Sequence, residues 1–417
     1  MSTRTLVWGD MAATGFGTVT RDLGQAMIDR GEDIRFLSIN EFKQTGPLPA
    51  PFEGRTLSVG LPDGWMGTPD DADAFIASLR SVFTDGSDGW LPEDTIVVGD
   101  PASIIRSDLV KIIPRGFPAY HYVPIEGVGL PPTWSIPWHN RLSPVAMCKF
   151  GAEQIATITG SEPPFIYHGV DTEAFYPVSM DRPIVVTEGI KITPLRSKED
   201  CKRYLGIDPN STMLYRADRN MPRKRYSSML RAIAPILAVH PDTHLLMHCA
   251  TIDEGGNLDD YRGHVWAAYG EGVTRRMQTT KIHDRHEIAD RKLLNILYNA
   301  ADLYLSTGAE GFGLTIAEAL ACGTPAVGMD FSSVPEVIGP AGVTVPVGYL
   351  VENIYAYHWA NVDEAKYTEA VEFLVTHKAR RRELGRLGPA HVATNFTWPK
   401  AAERFAEIRQ PQEVAVA

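Results

Sequence analysis

Two short stretches of this chain concentrate residue types that bind phosphate and hydroxyl groups. In Arg216-Ala-Asp-Arg219-Asn-Met-Pro-Arg223-Lys224-Arg225, five cations fall within ten residues of a protein whose formal net charge is -11. A planar guanidinium beside a compact ammonium suits a diphosphate, one by a fork of N–H donors and the other as a point charge. The competing reading is a solvated basic turn. The second stretch, Glu310-Gly-Phe-Gly-Leu-Thr-Ile-Ala-Glu318, reads as a glycine-flanked turn that opens a helix at about Leu314. The first N–H groups of a helix have no partner inside it, and with the helix dipole they make an anion site. Glu318 is the only charge between Gly313 and Gly323, on a helix otherwise small or apolar. A buried, unpaired carboxylate is costly, so Glu318 calls for donors from the protein or from ligand hydroxyls unless it faces water at a helix edge.

Other candidates are weaker. Gly15 and Gly17 lie in the turn-rich Ala13-Thr14-Gly15-Phe16-Gly17, where a backbone can approach a phosphate or acceptor, or simply turn. The pattern is not GxGxxG. His121, in Ala-Tyr-His-Tyr-Val-Pro-Ile-Glu126, ends a predicted strand facing a cleft, and its alternative is a buried structural histidine. His283 and His286 lack a third ligand and read as an exposed loop, and no Asp-x-Asp motif lies near residues 216–225 or 310–318, so no divalent metal is expected.

These residues must be positioned by a fold, and the alternation along the chain supplies it. Strands are predicted at 5–8, 34–39, 95–98, 119–123, 144–147 and 164–167, with a first helix through Leu23 and Met27 that Gly31 closes. A Pro- and charge-rich stretch over 171–198 reads as the join. Beyond it come strands at 213–217, 244–248, 303–306 and 325–328, and helices at 227–239, 291–300 and 314–322. The class is therefore α/β, with two parallel sheets covered on both faces. The bulky segment 129–138 either lines a groove or covers a core edge. Four scattered cysteines, at 148, 201, 249 and 322, give neither a zinc spacing nor a disulfide framework and point to a reducing cytoplasm. The amino end lacks the long apolar region of a signal peptide. Residues 312–329 are the most apolar run and are broken by Glu318, Gly323 and Pro325, so no transmembrane segment is expected. The acidic balance makes duplex nucleic acid an unfavourable partner.

Taken together, Arg219-x4-Lys224, Glu310-x7-Glu318 running on into Ala-Leu-Ala-Cys-Gly-Thr-Pro-Ala-Val, and His168-Gly-Val-Asp171 upstream closely resemble the retaining glycosyltransferases of family four, the glycosyl transferases group 1. The resemblance implies a GT-B fold of two facing Rossmann-like domains with the active site in the cleft. It implies an acceptor-side domain over 1–170, a donor domain over 171–395 and a final helix, 396–417, that crosses back. Carried over residue by residue, Arg219 and Lys224 hold the donor diphosphate, and Glu310 binds donor-sugar hydroxyls. The N–H groups of Phe312, Gly313 and Leu314 meet sugar or phosphate, Glu318 accepts from the ribose, and His121 stands near the reacting sugar. Cys148 occupies a position where such enzymes commonly have serine. The implied activity is retaining transfer of a hexose-type sugar from a UDP- or GDP-linked donor to an unidentified hydroxyl of a saccharide, lipid, protein, small molecule or modified nucleobase. No cofactor beyond the nucleotide sugar is implied. Alternatives are a GT-B sugar phosphorylase or epimerase, or a non-catalytic nucleotide-sugar-binding protein.

Overall fold

The apolar run Arg4–Gly9 forms β1, buried along almost its whole length, as strands inside a doubly covered parallel sheet are. The computed structural model describes residues 3–11, 14–38, 51–52, 54–58, 77, 79–86, 88–102, 111–189, 191–280 and 290–410. Around β1 lie β2 (Asp33–Ser38), β3 (Thr56–Ser58), β4 (Asp94–Val98), β5 (Ala119–Val123) and β6 (Ser143–Ala146), all parallel, in the order β3-β2-β1-β4-β5-β6. Helix α1 (Gly15–Asp29) returns the chain from β1 to β2 and buries Val19, Leu23, Ala26 and Met27. Its start corrects the reading of Gly15 and Gly17 as loop residues. Thr14 caps the helix by accepting from the Gly17 N–H at 2.9 Å, so both glycines lie in the first turn. Helix α2 (Lys149–Thr159) follows β6. The strand expected at 164–167 is reduced to a single bridge between Ala146 and Phe165, because Pro163 and Pro164 have no N–H to give a ladder.

The second sheet repeats the plan. Strands β7 (Thr212–Ala217), β8 (Thr243–His248), β9 (Met277–Thr279), β10 (Leu303–Leu305), β11 (Ala326–Met329) and β12 (Gly342–Val345) are parallel, in the order β9-β8-β7-β10-β11-β12. Counted from its own first strand, each sheet therefore has the Rossmann order, with the direction of winding reversing beside that strand. Helices α3 (Tyr226–Val239), α4 (Arg291–Ala300), α5 (Leu314–Ala321), α6 (Glu364–Thr376) and α7 (Lys378–Asn395) belong with this sheet. Its core gathers Leu214, Leu245, Leu303 and Val327 from the strands with Ile233, Leu237, Val371 and Leu374 from the helices. The join expected over 171–198 contains regular structure. An antiparallel hairpin, Ile184–Glu188 with Lys191–Leu195, lies inside it.

Helix α7 runs unusually close to α5. A Cβ on Gly388 would stand 2.4 Å from the Leu320 carbonyl oxygen, and one on Gly385 would stand 2.4 Å from that of Gly323. Only glycine permits this backbone-to-backbone approach.

The chain divides into two compact units: Met1–Ile125, Gly129–Gly169 and Phe396–Ala417 in the first, Glu126–Val128 and Val170–Asn395 in the second. The last helix, α8 (Trp398–Arg409), thus belongs to the first unit. There it packs on α1, Phe405 meets the edge of Tyr122 at 5.1 Å, and Arg409 donates to Thr5 Oγ1 at 2.6 Å and bonds Glu32.

Candidate active site

In open α/β sheets, ligands sit outside the carboxyl ends of the strands where the winding reverses. In the second unit that place lies between β7 and β10, and the residues leaving these two strands meet there. The chain after β7 is drawn back onto the sheet by Arg216, which is fully buried. Its guanidinium donates to Thr307 Oγ1 at 2.5 Å and to the Lys224 carbonyl at 2.7 Å, lies 3.3 Å from Asp218 Oδ2, and covers the Tyr226 ring. The turn Pro222–Lys224 then closes, and Arg225 adopts φ 55 to enter α3. Gly308, after β10, makes room for this turn: a Cβ there would stand 3.0 Å from the Arg223 carbonyl oxygen and from Lys224 Cα.

The result is a buried cluster of opposite charges. Lys224 Nζ lies 2.5 and 2.7 Å from the two carboxylate oxygens of Glu310 and 2.6 Å from Asp218 Oδ1. Arg223 donates to the Ala309 carbonyl at 2.9 Å and to Glu310 Oε2 at 3.2 Å, and its other terminal nitrogen is 3.1 Å from Glu126 Oε1. Burial alone would push the Glu310 carboxyl up. Lys224 and Arg223 outweigh that and hold it below its ordinary value, so it is a carboxylate. Ser332 and Ser333 fix its backbone: Ser332 Oγ accepts from the Glu310 N–H at 2.9 Å, and the single Ser333 hydroxyl proton is shared between the Glu310 and Phe312 carbonyls, 2.9 and 2.7 Å from Oγ.

Helix α5 begins directly after this loop. Gly313 stands before it at φ 99, and no side chain caps its first turn. The helix N-terminus is thus presented to the loop with its amide dipole uncapped by a side chain. Glu318, one turn further on, is buried and accepts from the Tyr298 hydroxyl at 2.7 Å, which meets the requirement for a donor.

The structure therefore brings Lys224, Glu310, Phe312, Gly313, Leu314 and Glu318 into one stretch of the second unit. Arg219 goes elsewhere. Its side chain is 46% exposed and pairs with Asp253 at 2.8 Å and Glu254 at 3.3 Å, so the guanidinium that joins Lys224 at Glu310 is that of Arg223. The alternative of a solvated basic turn is corrected, because most of these cations are met by carboxylates. Arg225 is the exception, with Nε and Nη2 buried and without a hydrogen-bond partner among the described residues. Asp218 and Tyr298 carried no expectation. A carboxylate among five cations was the available signal for Asp218; Tyr298 meets Glu318 only through packing of α4 on α5.

In the first unit His121 is corrected on both counts. It is the third residue of β5, with Tyr122 and Val123 after it, and it is fully buried instead of facing a cleft. Trp138 Nε1 donates to its Nδ1 at 3.0 Å, which leaves Nε2 to donate to the Gly99 carbonyl at 3.1 Å. Burial lowers its pKa to about 4, so it is neutral. Trp134 and Trp138 are both buried, so the 129–138 segment covers core. Cys148 caps α2, its Sγ accepting from the Gly151 N–H at 3.3 Å, a duty serine performs in many helices. His283 and His286 lie outside the described residues. Among the described residues no group of three or more His, Cys, Asp or Glu is placed to hold a metal ion, and no helix is long and apolar enough to cross a membrane.

Comparison with known proteins bears on the same stretch. The family model for glycosyl transferases group 1 matches residues 197–385. A D-inositol 3-phosphate glycosyltransferase of Rhodococcus erythropolis is 29% identical over 229 residues, 54% of this chain and 47% of that protein. A GDP-mannose-dependent monoacylated alpha-(1-6)-phosphatidylinositol monomannoside mannosyltransferase of Corynebacterium glutamicum is 26% identical over 268 residues, 61% of this chain and 58% of that protein. The chain thus spans about half the length of the curated relatives it matches. Among solved structures, sucrose-phosphate synthase from Thermosynechococcus elongatus superposes with TM-score 0.69 at 16% identity, covering 97% of this chain and 98% of that one. Anabaena HepE in complex with UDP-glucose gives 0.67 at 13% identity, covering 97% and 98%. By the strand order of its two sheets and its likeness to these solved structures, the chain has the GT-B fold, and its residues 197–385 match the family model for glycosyl transferases group 1.

Proposed function

We propose that this protein is a glycosyltransferase that moves a hexose-type sugar from a UDP- or GDP-linked donor to a hydroxyl acceptor with retention at the anomeric carbon. The observation that carries the reading is the convergence of Lys224, Arg223 and Glu310 beneath the uncapped start of α5, with Glu318 one helical turn beyond. In this reading the diphosphate lies against the α5 amides. Lys224 and Arg223 offset the negative charge that grows on the departing nucleotide, which is the preorganised electrostatic stabilisation that lowers such barriers. Glu310 serves the sugar end and Glu318 accepts from the ribose hydroxyls. Arg219, tied to Asp253, acts on the donor only by leaving that pair. His121, neutral and enclosed, keeps a positioning duty inside the first unit. Catalysis requires no metal in this reading, because fixed cations occupy the position a divalent ion would serve.

The support is the family match over the donor-side residues, the GDP-mannose dependence in the name of one relative, and the UDP-glucose bound in one structural neighbour. A panel of nucleotide sugars with mass-spectrometric detection of released UDP or GDP tests it. Slow donor hydrolysis with one base, weakened in Glu318→Ala and Lys224→Ala, is the expected result. Release of neither nucleotide from any donor, with no binding of UDP or GDP, would remove the reading.

A further inference from the structure

The other end of the second sheet carries a different arrangement. Ser211 and Thr212 at the start of β7, Asp302 just before β10 and Pro325 just before β11 line a pocket of about 630 Å³, closed on its other side by α7. The six residues of β7 span roughly 20 Å, so this pocket stands about that far from the Lys224–Glu310 cluster.

Its charge is unbalanced. Lys198, Lys202, Lys378, Arg381, Arg382 and Arg386 line it against two carboxylates, Glu199 and Asp302. Asp302 is already engaged, 2.6 Å from Lys202 Nζ, 3.4 Å from an Arg381 nitrogen and 3.9 Å from Lys198 Nζ. Lys202 and Arg381 are buried, with side chains 3% and 9% exposed. Three cations thus surround one anion at the pocket floor. Burial, together with the charges of Lys202 and Arg381, holds the Lys198 ammonium below its ordinary pKa, as expected where like charges crowd. Lys378, Arg382 and Arg386 recur every fourth residue along α7, so they form one stripe over the pocket mouth. All three are exposed and make no hydrogen bond or ion pair with the described residues. A buried floor and an exposed rim, both in cationic surplus on an acidic protein, are complementary to an anion carrying more than one charge.

We propose that this pocket is a second anion site, separate from the donor site, for a small organic phosphate with two or more negative charges. The volume lies in the range of small-molecule sites, and a concave floor with buried cations fits a compact ligand better than a flat membrane surface. Phosphate oxygens take the place that Asp302 fills in part, bonding Lys202 and Arg381 below and the α7 stripe above. The proposal does not rest on the glycosyltransferase reading.

The test uses inorganic pyrophosphate as the probe on the full chain. Hydrogen–deuterium exchange with and without it locates binding, and titration calorimetry measures it in wild type and in a double variant, Arg382→Glu with Arg386→Glu. Since these arginines are exposed and unpaired among the described residues, the double variant should keep the wild-type melting temperature. Protection over 378–389, at least tenfold weaker binding there in the double variant, and unchanged protection at 310–318 are expected. Protection confined to 218–224 and 310–318 would overturn the proposal. So would undiminished protection over 378–389 in the double variant, or no pyrophosphate binding at all. Sedimentation with anionic phospholipid vesicles that the double variant abolishes, in the absence of pyrophosphate protection at α7, would assign the stripe to a membrane and overturn it likewise.

Discussion

The two units place different groups at their polar centres. The second keeps its polar centre ionised, with Lys224 and Arg223 against Glu310 and Asp218. The first keeps its centre neutral, with His121 between Trp138 and Gly99, and His168 beside Tyr122 at 2.7 Å under the ring of Trp398. A buried ion pair holds only while both partners are present and charged. A buried neutral histidine holds only while the solution does not force a proton onto it. The difference predicts which perturbation each unit tolerates.

The largest effect should come from breaking the charged centre. Lys224→Ala removes the ammonium that Glu310 and Asp218 share and leaves each with one longer arginine contact, at 3.2 and 3.3 Å, which costs about 3–5 kcal/mol of stability, read from urea denaturation. A loss under about 1 kcal/mol would mean that water or Arg223 replaces the ammonium.

Mild acid should strike the first unit harder than the second, because two histidines, His121 and His168, are lowered to about 4 and about 3 there, against His248 at about 4 in the second. Burial lowers His121 to about 4 and His168 to about 3 from an ordinary 6.5, so between those values the unfolded chain binds protons that the folded unit excludes. The stability they contribute is complete above pH 6.5 and is lost as pH falls toward 4, by about 3 kcal/mol for His121 alone. Glu310, held below its ordinary 4.5, keeps its contribution above that value and loses it only as pH drops further. Exchange followed from pH 7 to 4.5 should therefore open β5 and its neighbours first. Equal loss of protection around β7 and β10 would contradict the comparison.

A smaller effect is expected at Glu318. Glu318→Gln keeps an acceptor for Tyr298 and should cost about 1 kcal/mol of stability, while nucleotide affinity falls about tenfold through loss of a charged acceptor. Equal affinities by calorimetry would place the ribose elsewhere. The smallest change belongs to Cys148→Ser, which gives α2 a stronger cap and should leave thermal stability within about 1 kcal/mol of wild type or slightly higher. A large loss would show that the thiol is needed for packing and not for capping.

Much of this was legible in the residues. Strands such as Ala119–Val123 and helices such as Arg291–Ala300 carry their period plainly, and the expected bounds agree with those observed. The Glu310-to-Glu318 segment declared itself because a lone carboxylate on an apolar helix must find a hydrogen-bond donor wherever it is buried. What escaped depends on long-range geometry. The family resemblance pairs Arg219 with Lys224, whereas the pull of Asp253, 34 residues away, and the seating of Arg223 on Ala309 decide which guanidinium joins the cluster. The capping role of Cys148 sat in plain view before Lys149-Phe-Gly151, yet thiols are seldom read as caps. Pro163 and Pro164 broke a strand that hydrophobicity alone supported.

The glycines of α7 have a mechanical consequence. With Gly385 and Gly388 resting on the carbonyls of Gly323 and Leu320, no compressible layer of side chains separates the helix bearing the cationic stripe from the helix bearing Glu318. A shift of one must be handed to the other almost undiminished, like two gears cut without backlash. Filling that gap with a single methyl, as in Gly388→Ala, would set the carboxylate at the wrong depth without touching any residue of either site.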